Sequence, residues 1–268
     1  MIYADVIGDP IAHSKSPTIH GFWLAEAGIA AEYRKVRVSA EGLADYFAAA
    51  RADPDWRGCN VTVPHKLAVL DHVEDRGDLR ATIGAANLVL RAEDGALIAT
   101  NTDAAGFYAP LADVDLTGEA VTVIGAGGAA RAILFALSRI GVGPVTILNR
   151  NPLKAAALLA AFGLEGQALP LTAAIPPCKL LVNASVLGMT GQPPLSVDLS
   201  PLPDDALVYD AVYAPLETDL LAHAHARGLE TIDGLEMLIG QAALGFEMLF
   251  GASPPRERDE ALRALLLA

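Results

Sequence analysis

The stretch at residues 120–132, which reads AVTVIGAGGAARA, is the feature that most constrains the fold of this chain. It begins with a short apolar run rich in β-branched residues, Val121–Ile124, which predicts a buried strand. Gly125, Gly127 and Ala130 follow in the spacing G-x-G-x-x-A, and an amphipathic helical pattern comes directly after them. Between a strand and a helix, such small residues allow a tight turn, and the free N–H groups at the helix start attract a pyrophosphate. The stretch therefore predicts a dinucleotide-binding turn.

Composition argues against several other classes of protein. The chain of 268 residues carries a net charge of −13, which disfavours nucleic acids and anionic membranes as partners. It contains no uninterrupted apolar run of membrane length, and its first residues lack the basic region of a signal peptide. The two cysteines, Cys59 and Cys178, show no metal-ligand spacing, so we expect no metal site and reduced thiols in the cytoplasm.

The order of the predicted elements indicates an α/β fold. In the second half of the chain, short apolar strands alternate with helical patterns, which predicts a parallel sheet with helices on both faces. The first half also alternates, and it adds a hairpin around Gly95. We therefore predict an N-terminal α/β substrate domain at residues 1–103, completed by C-terminal helices at 237–268. A Rossmann-type dinucleotide-binding domain is predicted at 104–236, with the active site in the cleft between the two domains.

Two serines near the N-terminus form the first candidate binding site. The residue before a proline favours extended backbone, in which side chains two positions apart point the same way. Ser14 and Ser16, which precede Pro17, can then present two hydroxyls to one carboxylate. Alternatively, Ser16 is a helix N-cap with Pro17 at the first helical position, which leaves Ser14 without a role.

The segment NVTVPHK at residues 60–66 is the second candidate. Strand alternation places Asn60 and Thr62 on one face, where buried polar side chains need partners. Pro64 is predicted to begin a helix, with Lys66 in its first turn and His65 on its surface. The helix dipole disfavours a cation at that position, so Lys66 is either an acid–base catalyst with a lowered pKa or a solvated surface lysine.

Two further polar residues allow a structural and a functional interpretation. Asn87 begins a predicted strand after a Gly-Ala-Ala turn, and its amide either stabilises that turn or binds a ligand. Asp103 precedes a predicted helix. It either caps that helix or is the charge partner that orients Lys66 and binds a substrate hydroxyl.

The end of the second strand in the dinucleotide domain indicates the cofactor. A free ribose 2′-hydroxyl is bound by an acidic residue about 20 positions after the glycines. Here the strand ends in Asn149 and Arg150, with Lys154 one turn later and no acid at this point. An arginine fork and a lysine match a 2′-phosphate, so the sequence favours NADP(H) over NAD(H). The alternative interpretation of Arg150 is an arginine in a loop that contacts only solvent.

Taken together, these motifs resemble the shikimate dehydrogenase family, in order and over nearly the whole chain. The motifs that carry the resemblance are SKSP at residues 14–17, NVTVPHK at 60–66, GAAN at 84–87, NTD at 101–103, GAGGAARA at 125–132, NAS at 183–185, DAVYAPLET at 210–218 and GLEMLIGQA at 234–242. Lys15 departs from the apolar residue that is common in the family, and Asn151 stands where Ser or Thr is common.

The resemblance implies a role for each matching residue. Residues implied to bind the substrate carboxylate are Ser14, Ser16 and Tyr213, and those implied to bind the ring oxygens are Thr62, Asn87, Asp103 and Gln241. Lys66 and Asp103 are implied as the catalytic pair. Residues implied to bind NADP(H) are Gly125, Gly127, Gly128, Ala129, Ala130 and Arg131 at the pyrophosphate, Asn149, Arg150 and Lys154 at the 2′-phosphate, and Met237 near the nicotinamide.

The resemblance also implies an activity: reversible, NADPH-dependent reduction of 3-dehydroshikimate to shikimate, on the route to chorismate. The alternatives are a quinate/shikimate dehydrogenase with relaxed cofactor use and an NADP-binding sensor without turnover. The partner is then a small-molecule substrate, and we expect a monomer or a homodimer.

Overall fold

The computed structural model describes residues 1–267. Within them the chain divides into two compact units. The first unit comprises Met1–Thr102 together with the residues from Ile239 onward, and the second comprises Asp103–Leu238. The first unit is therefore built from two separate stretches of sequence.

The strands and helices are numbered in chain order. The strands are β1 (Tyr3–Gly8), β2 (Glu32–Arg37), β3 (Trp56–Val61), β4 (Leu88–Arg91), β5 (Leu97–Thr100), β6 (Val121–Ile124), β7 (Val145–Asn149), β8 (Gly166–Pro170), β9 (Leu180–Asn183), β10 (Leu207–Asp210) and β11 (Glu230–Ile232). The α-helices are α1 (Ser16–Glu26), α2 (Leu43–Ala52), α3 (Leu79–Thr82), α4 (Asp103–Tyr108), α5 (Gly128–Ile140), α6 (Pro152–Phe162), α7 (Asp219–Ala226), α8 (Gly234–Phe250) and α9 (Asp259–Leu267).

The first unit contains a mixed five-stranded sheet in the order β2-β1-β3-β4-β5. β1 runs parallel to both β2 and β3, whereas β3, β4 and β5 pair antiparallel. The predicted hairpin is confirmed as β4–β5, and Gly95 in its turn has a φ of +84°, a conformation that glycine adopts without steric cost.

An aromatic cluster fills part of the core of the first unit. The His20 ring stacks on Tyr33 with centroids 4.0 Å apart, and it also approaches Trp23 and Phe246. These side chains come from α1, β2 and α8, so the cluster packs two helices from distant parts of the sequence against one edge of the sheet.

The second unit contains a fully parallel six-stranded sheet in the order β11-β10-β9-β6-β7-β8. Counted from its first strand, β6, this is the order 6-5-4-1-2-3, which is the doubly wound arrangement of dinucleotide-binding domains. Ile124 in β6 is in register with Leu148 in β7 and Asn183 in β9, so the carboxyl ends of these three neighbouring strands lie side by side. Apolar side chains cover both faces of the sheet.

The predicted α/β fold class is confirmed, but the sequence did not predict two small elements, β8 and α3. The residues of β8 are half-buried or exposed, because this strand lies at the edge of the sheet and lacks an apolar run. The helix α3 is a single turn, too short to show helical periodicity. Within residues 1–267, no helix is both long enough and apolar enough to span a membrane.

The buried His20 predicts acid sensitivity of the first unit. Its side chain is fully buried, and among the described residues neither ring nitrogen has a hydrogen-bond partner. Burial lowers the pKa of His20 to about 3, whereas an unfolded histidine has a pKa of about 6.5. As the pH falls, the unfolded chain therefore binds a proton at His20 before the folded protein does. This difference lowers the free energy of unfolding between about pH 6.5 and pH 3, by at most about 1.4 kcal/mol per pH unit.

We expect His20→Phe, which keeps a ring against Tyr33, to reduce the loss of stability at low pH. Urea unfolding at pH 7 and pH 5 measures the free energy of unfolding at each pH, and the exposed His223→Phe is the control. An unchanged pH dependence in His20→Phe would show that His20 does not cause the acid sensitivity.

Candidate active site

A cluster of three polar side chains, Asn87, Thr102 and Gln241, lies in the first unit and is called the Asn87 cluster below. The Asn87 Nδ2 donates to Thr102 Oγ1 at 2.8 Å and to Gln241 Oε1 at 3.1 Å. The Thr102 backbone N–H donates in turn to Asn87 Oδ1 at 2.7 Å. All three residues are at most 7% exposed. Because buried polar groups need partners, these bonds fix the orientation of each side chain.

The elements that carry the cluster explain why it forms. Asn87 directly precedes β4, and Thr102 follows β5, its hairpin partner, so the two residues lie at the same end of the hairpin. Gln241 lies in α8, 154 positions after Asn87. The cluster therefore connects the N-terminal sheet to the C-terminal part of the same unit.

The segment that carries Lys66 does not form the helix predicted from Pro64. Residues 63–67 form turns instead, and a short 3₁₀ helix begins only at Ala68. The helix-dipole argument for Lys66 therefore has no basis in this fold. The Lys66 side chain is half-buried, and its backbone carbonyl accepts a hydrogen bond from the Ala86 N–H at 2.7 Å. This bond places Lys66 beside the residue that precedes Asn87.

His65 explains why the helix does not form. Its backbone N–H donates to the Thr62 carbonyl, which closes a turn directly after β3. The ring is buried, and Nε2 donates to the Val38 carbonyl at 2.6 Å. The prediction that His65 lies on a helix surface is thus wrong, because its ring anchors the turn beneath the segment.

The two serines also differ from the predicted geometry. Lys15 has helical dihedral angles (φ −88°, ψ −5°), so Ser14 and Ser16 do not lie in an extended segment. α1 begins at Ser16, so Ser16 is not its N-cap either, and Pro17 takes the second helical position. The Ser14 hydroxyl accepts the Ser16 N–H at 3.3 Å. The helix start itself therefore brings the two serines together.

The glycine turn of the second unit has the features of a dinucleotide site. Gly125 has a φ of +111°, and a Cβ there would lie 3.0 Å from the Ser185 backbone nitrogen. A Cβ on Gly127, in contrast, would meet no atom within 4 Å. Ala130 is fully buried where α5 packs on the sheet. Gly128, Ala129 and Arg131 form the first turn of α5, whose N-terminus has no side-chain cap among the described residues.

The cations predicted to bind a 2′-phosphate lie at the neighbouring strand end. Asn149 is the last residue of β7, and its Nδ2 donates to the Asn151 carbonyl at 2.9 Å. Asn151 caps α6 by accepting the Lys154 N–H at 3.2 Å. The side chains of Arg150 and Lys154 are exposed, and within residues 1–267 neither forms an ion pair.

Asp210 organises two loops at this edge of the sheet, a role that the sequence did not reveal. Its Oδ1 accepts from Asn183 Nδ2 and from the Val212 N–H, both at 2.9 Å, and its Oδ2 accepts from the Thr218 hydroxyl at 2.7 Å. Burial raises the pKa of Asp210, and the hydrogen bonds oppose that shift. The sequence feature that could have indicated this role is that two apolar strands, LLVN and LVYD, each end in a polar residue, Asn183 and Asp210.

Four predicted site residues remain to be placed. Thr62 is half-buried and directly follows β3. Asp103 is buried as the first residue of α4, and Tyr213 is half-buried after β10, where burial raises the pKa of its phenol. Met237 is buried in the apolar core of the second unit. Asp103, Tyr213 and Met237 all belong to the second unit, and Lys66 belongs to the first.

These features define a two-unit α/β protein whose second unit has the doubly wound dinucleotide-binding fold. Three family models match the chain: the shikimate dehydrogenase substrate binding domain at residues 6–89, shikimate / quinate 5-dehydrogenase at 110–178, and the shikimate 5′-dehydrogenase C-terminal domain at 234–262. A shikimate dehydrogenase (NADP(+)) of Sphingopyxis alaskensis is 66% identical over 99% of this chain and 97% of its own length. The chain belongs to the shikimate dehydrogenase family.

Solved structures show the same architecture. Shikimate 5-dehydrogenase from Thermus thermophilus, in complex with NADP(H) and shikimate, is 38% identical with a TM-score of 0.86, over 98% of this chain and 99% of that one. A 5-ketofructose reductase of Gluconobacter sp. strain CHM43 is 35% identical with a TM-score of 0.86, over 99% of this chain and 97% of that one.

The two glycines of the turn predict separable effects. Gly125→Ala introduces a Cβ against the Ala184–Ser185 backbone at a strained φ, so we expect a lower melting temperature and loss of dinucleotide binding. Gly127→Ala meets no protein atom, so we expect unchanged stability but weaker binding, because the methyl group blocks the approach of the pyrophosphate. Thermal unfolding and NADPH fluorescence titration distinguish the two. Unchanged NADPH affinity in Gly127→Ala would place the pyrophosphate elsewhere.

Proposed function

We propose that this protein catalyses the reversible, NADPH-dependent reduction of the ketone of 3-dehydroshikimate to shikimate. The observation that carries the proposal is the Asn87 cluster, three buried polar side chains that are hydrogen-bonded to one another in the first unit, close in the fold to the Lys66 segment. Hydroxyl-rich rings are recognised by such pre-oriented amide and hydroxyl groups. Membership of the shikimate dehydrogenase family supports the same conclusion.

The first unit acts as the substrate-binding domain in this proposal. Ser14 and Ser16, adjacent at the start of α1, bind the substrate carboxylate, with Tyr213 contributing its phenol. The ring oxygens are bound by Thr62, Asn87, Asp103 and Gln241. Thr62 directly follows β3, Asn87 directly precedes β4, and Asp103 is the first residue of α4. Such ends of strands and starts of helices are where α/β folds place ligands.

Lys66 and Asp103 form the catalytic pair. Reduction of a ketone leaves an alkoxide that must take up a proton, and the Lys66 ammonium donates it. Asp103 binds the hydroxyl that forms and stabilises the charged lysine. In the oxidation direction the neutral lysine takes the proton from the same hydroxyl, so one group serves both directions.

The residues at the carboxyl edge of the second sheet fit NADP(H), and bound NADPH supplies the hydride. The open space at Gly127 and the uncapped start of α5 suit the pyrophosphate, which Arg131 also contacts. Arg150 and Lys154 bind the 2′-phosphate, and Asn149 shapes the turn between them. Met237 lines the nicotinamide end of the site from the core beneath it.

We also propose that the protein acts in the cytoplasm as a monomer or a homodimer. Its two cysteines support a reducing compartment, since both are buried and neither forms a disulfide.

The absorbance of NADPH at 340 nm tests the proposed function. We expect shikimate to reduce NADP rapidly, with far slower reduction of NAD and little turnover of quinate. Oxidation of NADPH by 5-ketofructose, the substrate class of one structural relative, serves as a separate assay. Turnover of 5-ketofructose without turnover of shikimate would overturn the proposal, as would binding of NADPH without turnover of any of these substrates.

Lys66→Ala tests the proton donor. General acid catalysis contributes about 10²–10⁴-fold, so we expect kcat to fall within that range while the KM for shikimate changes little. Lys179→Ala removes the same charge from a lysine that binds Asp205, and it should retain normal kinetics. A near-normal kcat in Lys66→Ala would show that another group donates the proton.

Arg150→Ala tests the choice of cofactor. Loss of the guanidinium should raise the KM for NADPH at least tenfold and leave the KM for NADH unchanged, because only NADPH carries the 2′-phosphate. Arg139→Ala, an exposed arginine in the last turn of α5, is the matched control. Equal effects on both cofactors would contradict a phosphate contact.

A further inference from the structure

We propose that Tyr33, a residue outside the substrate site described above, is a positioning residue that holds the Asn87 cluster in place through the side chain of Asn60. The inference rests on the proposed function, because it concerns the same substrate-binding group. Tyr33 lies in β2, at the opposite edge of the sheet from the β4–β5 hairpin that carries the cluster.

The sheet gives the Tyr33 side chain a path to Asn60. Tyr33 is in register with Ala4 in β1, and Ala4 is in register with Gly58 in β3. Residues in register project from the same face of a sheet, so two small residues occupy the row across which the phenol extends. The Tyr33 hydroxyl donates to Asn60 Oδ1 at 2.6 Å, and this bond is buried.

The Tyr33 hydroxyl determines which way the Asn60 amide points. Asn60 Nδ2 donates to the Asn87 backbone carbonyl at 3.3 Å, and the Val61 N–H donates to the same carbonyl at 2.8 Å. The reverse orientation of the amide would bring two oxygens together at that carbonyl. A donor on the other side of Asn60 therefore stabilises the orientation that holds Asn87.

The ring of Tyr33 is itself held in place. His20 stacks on it with an interplanar angle of 4°, and the ring of Phe246 in α8 lies 6.0 Å from the His20 ring, measured between centroids. Gly245 lies next to Phe246 in α8, and a Cβ on Gly245 would lie 3.6 Å from Asn60 Nδ2. The same helix carries Gln241, so Tyr33, Asn60 and the cluster share one packed neighbourhood.

The variant Tyr33→Phe removes only the hydroxyl and keeps the ring. We expect the KM for shikimate to rise about five- to tenfold, the factor that corresponds to one neutral hydrogen bond. We expect kcat to stay within about twofold and the KM for NADP to be unchanged, because Lys66 and the second unit are untouched.

Tyr46→Phe is the matched control. Tyr46 is half-buried in the first unit, and its hydroxyl donates to Asp5 at 2.8 Å and accepts from Trp56 at 3.1 Å. Loss of a hydrogen-bonded hydroxyl should lower the melting temperature of both variants, whereas only Tyr33→Phe should raise the KM for shikimate. A merely structural role of Tyr33 would give the two variants the same kinetics.

A double-mutant cycle with Asn60→Ala tests the connection itself. If Tyr33 acts through Asn60, Tyr33→Phe has no further effect on the KM for shikimate when Asn60 is already alanine. Additive effects of the two substitutions would overturn the proposed route. If Tyr33→Phe does not fold, Asn60→Asp keeps the acceptor for Tyr33 and removes the donor to Asn87, and it should raise the same KM.

The outcomes separate this inference from the proposed function. A wild-type protein without activity on shikimate overturns the proposed function. A wild-type protein with that activity, together with a shikimate KM in Tyr33→Phe within about twofold of normal, overturns the role of Tyr33 alone.

Discussion

The first unit joins two distant stretches of sequence, and the buried side-chain amide of Asn87 is hydrogen-bonded to residues of both. Two stretches of sequence separated by the whole second unit must come together in a single domain. The Asn87 amide connects them by binding Thr102 at the end of the hairpin and Gln241 in α8. A buried amide left without partners costs about 1–3 kcal/mol, so the amide strongly favours this one arrangement of the two stretches.

In the second unit, too, hydrogen bonds to one buried polar side chain hold separate parts of the chain in place, but here these parts are neighbouring loops. Asp210 accepts hydrogen bonds from Asn183, Val212 and Thr218, and these fix the loops that follow β9 and β10. Gly125 packs against the first of these loops, at Ala184 and Ser185. In the proposed function, the dinucleotide turn thus takes its shape from a buried carboxylate as well as from its own glycines.

Much of the fold was predictable from the sequence, because local patterns determine it. The alternation of apolar strands with helices predicted the α/β class, and the spacing of Gly125, Gly127 and Ala130 predicted the glycine turn. The exposed cations Arg150 and Lys154 are also a local feature, since Arg150 directly follows β7 and Lys154 lies one turn later in α6.

The sequence failed where a distant contact overrides local preference. Pro64 is a good first residue for a helix, but the buried ring of His65 bonds to Val38 in another part of the chain and keeps the segment in turns. Likewise, the link from Tyr33 to Asn60 spans 27 positions. The local pattern does not reveal the partner of either His65 or Tyr33, because that partner lies in a distant part of the chain that only the fold brings near.

The central claim is that the Asn87 cluster binds the substrate ring. Isothermal titration of shikimate into Asn87→Ala tests it most directly, in parallel with titration of NADPH and a circular dichroism spectrum that verifies the fold. The account predicts that shikimate binding weakens at least tenfold while NADPH binding is retained. Wild-type affinity for shikimate in a folded Asn87→Ala protein would contradict it.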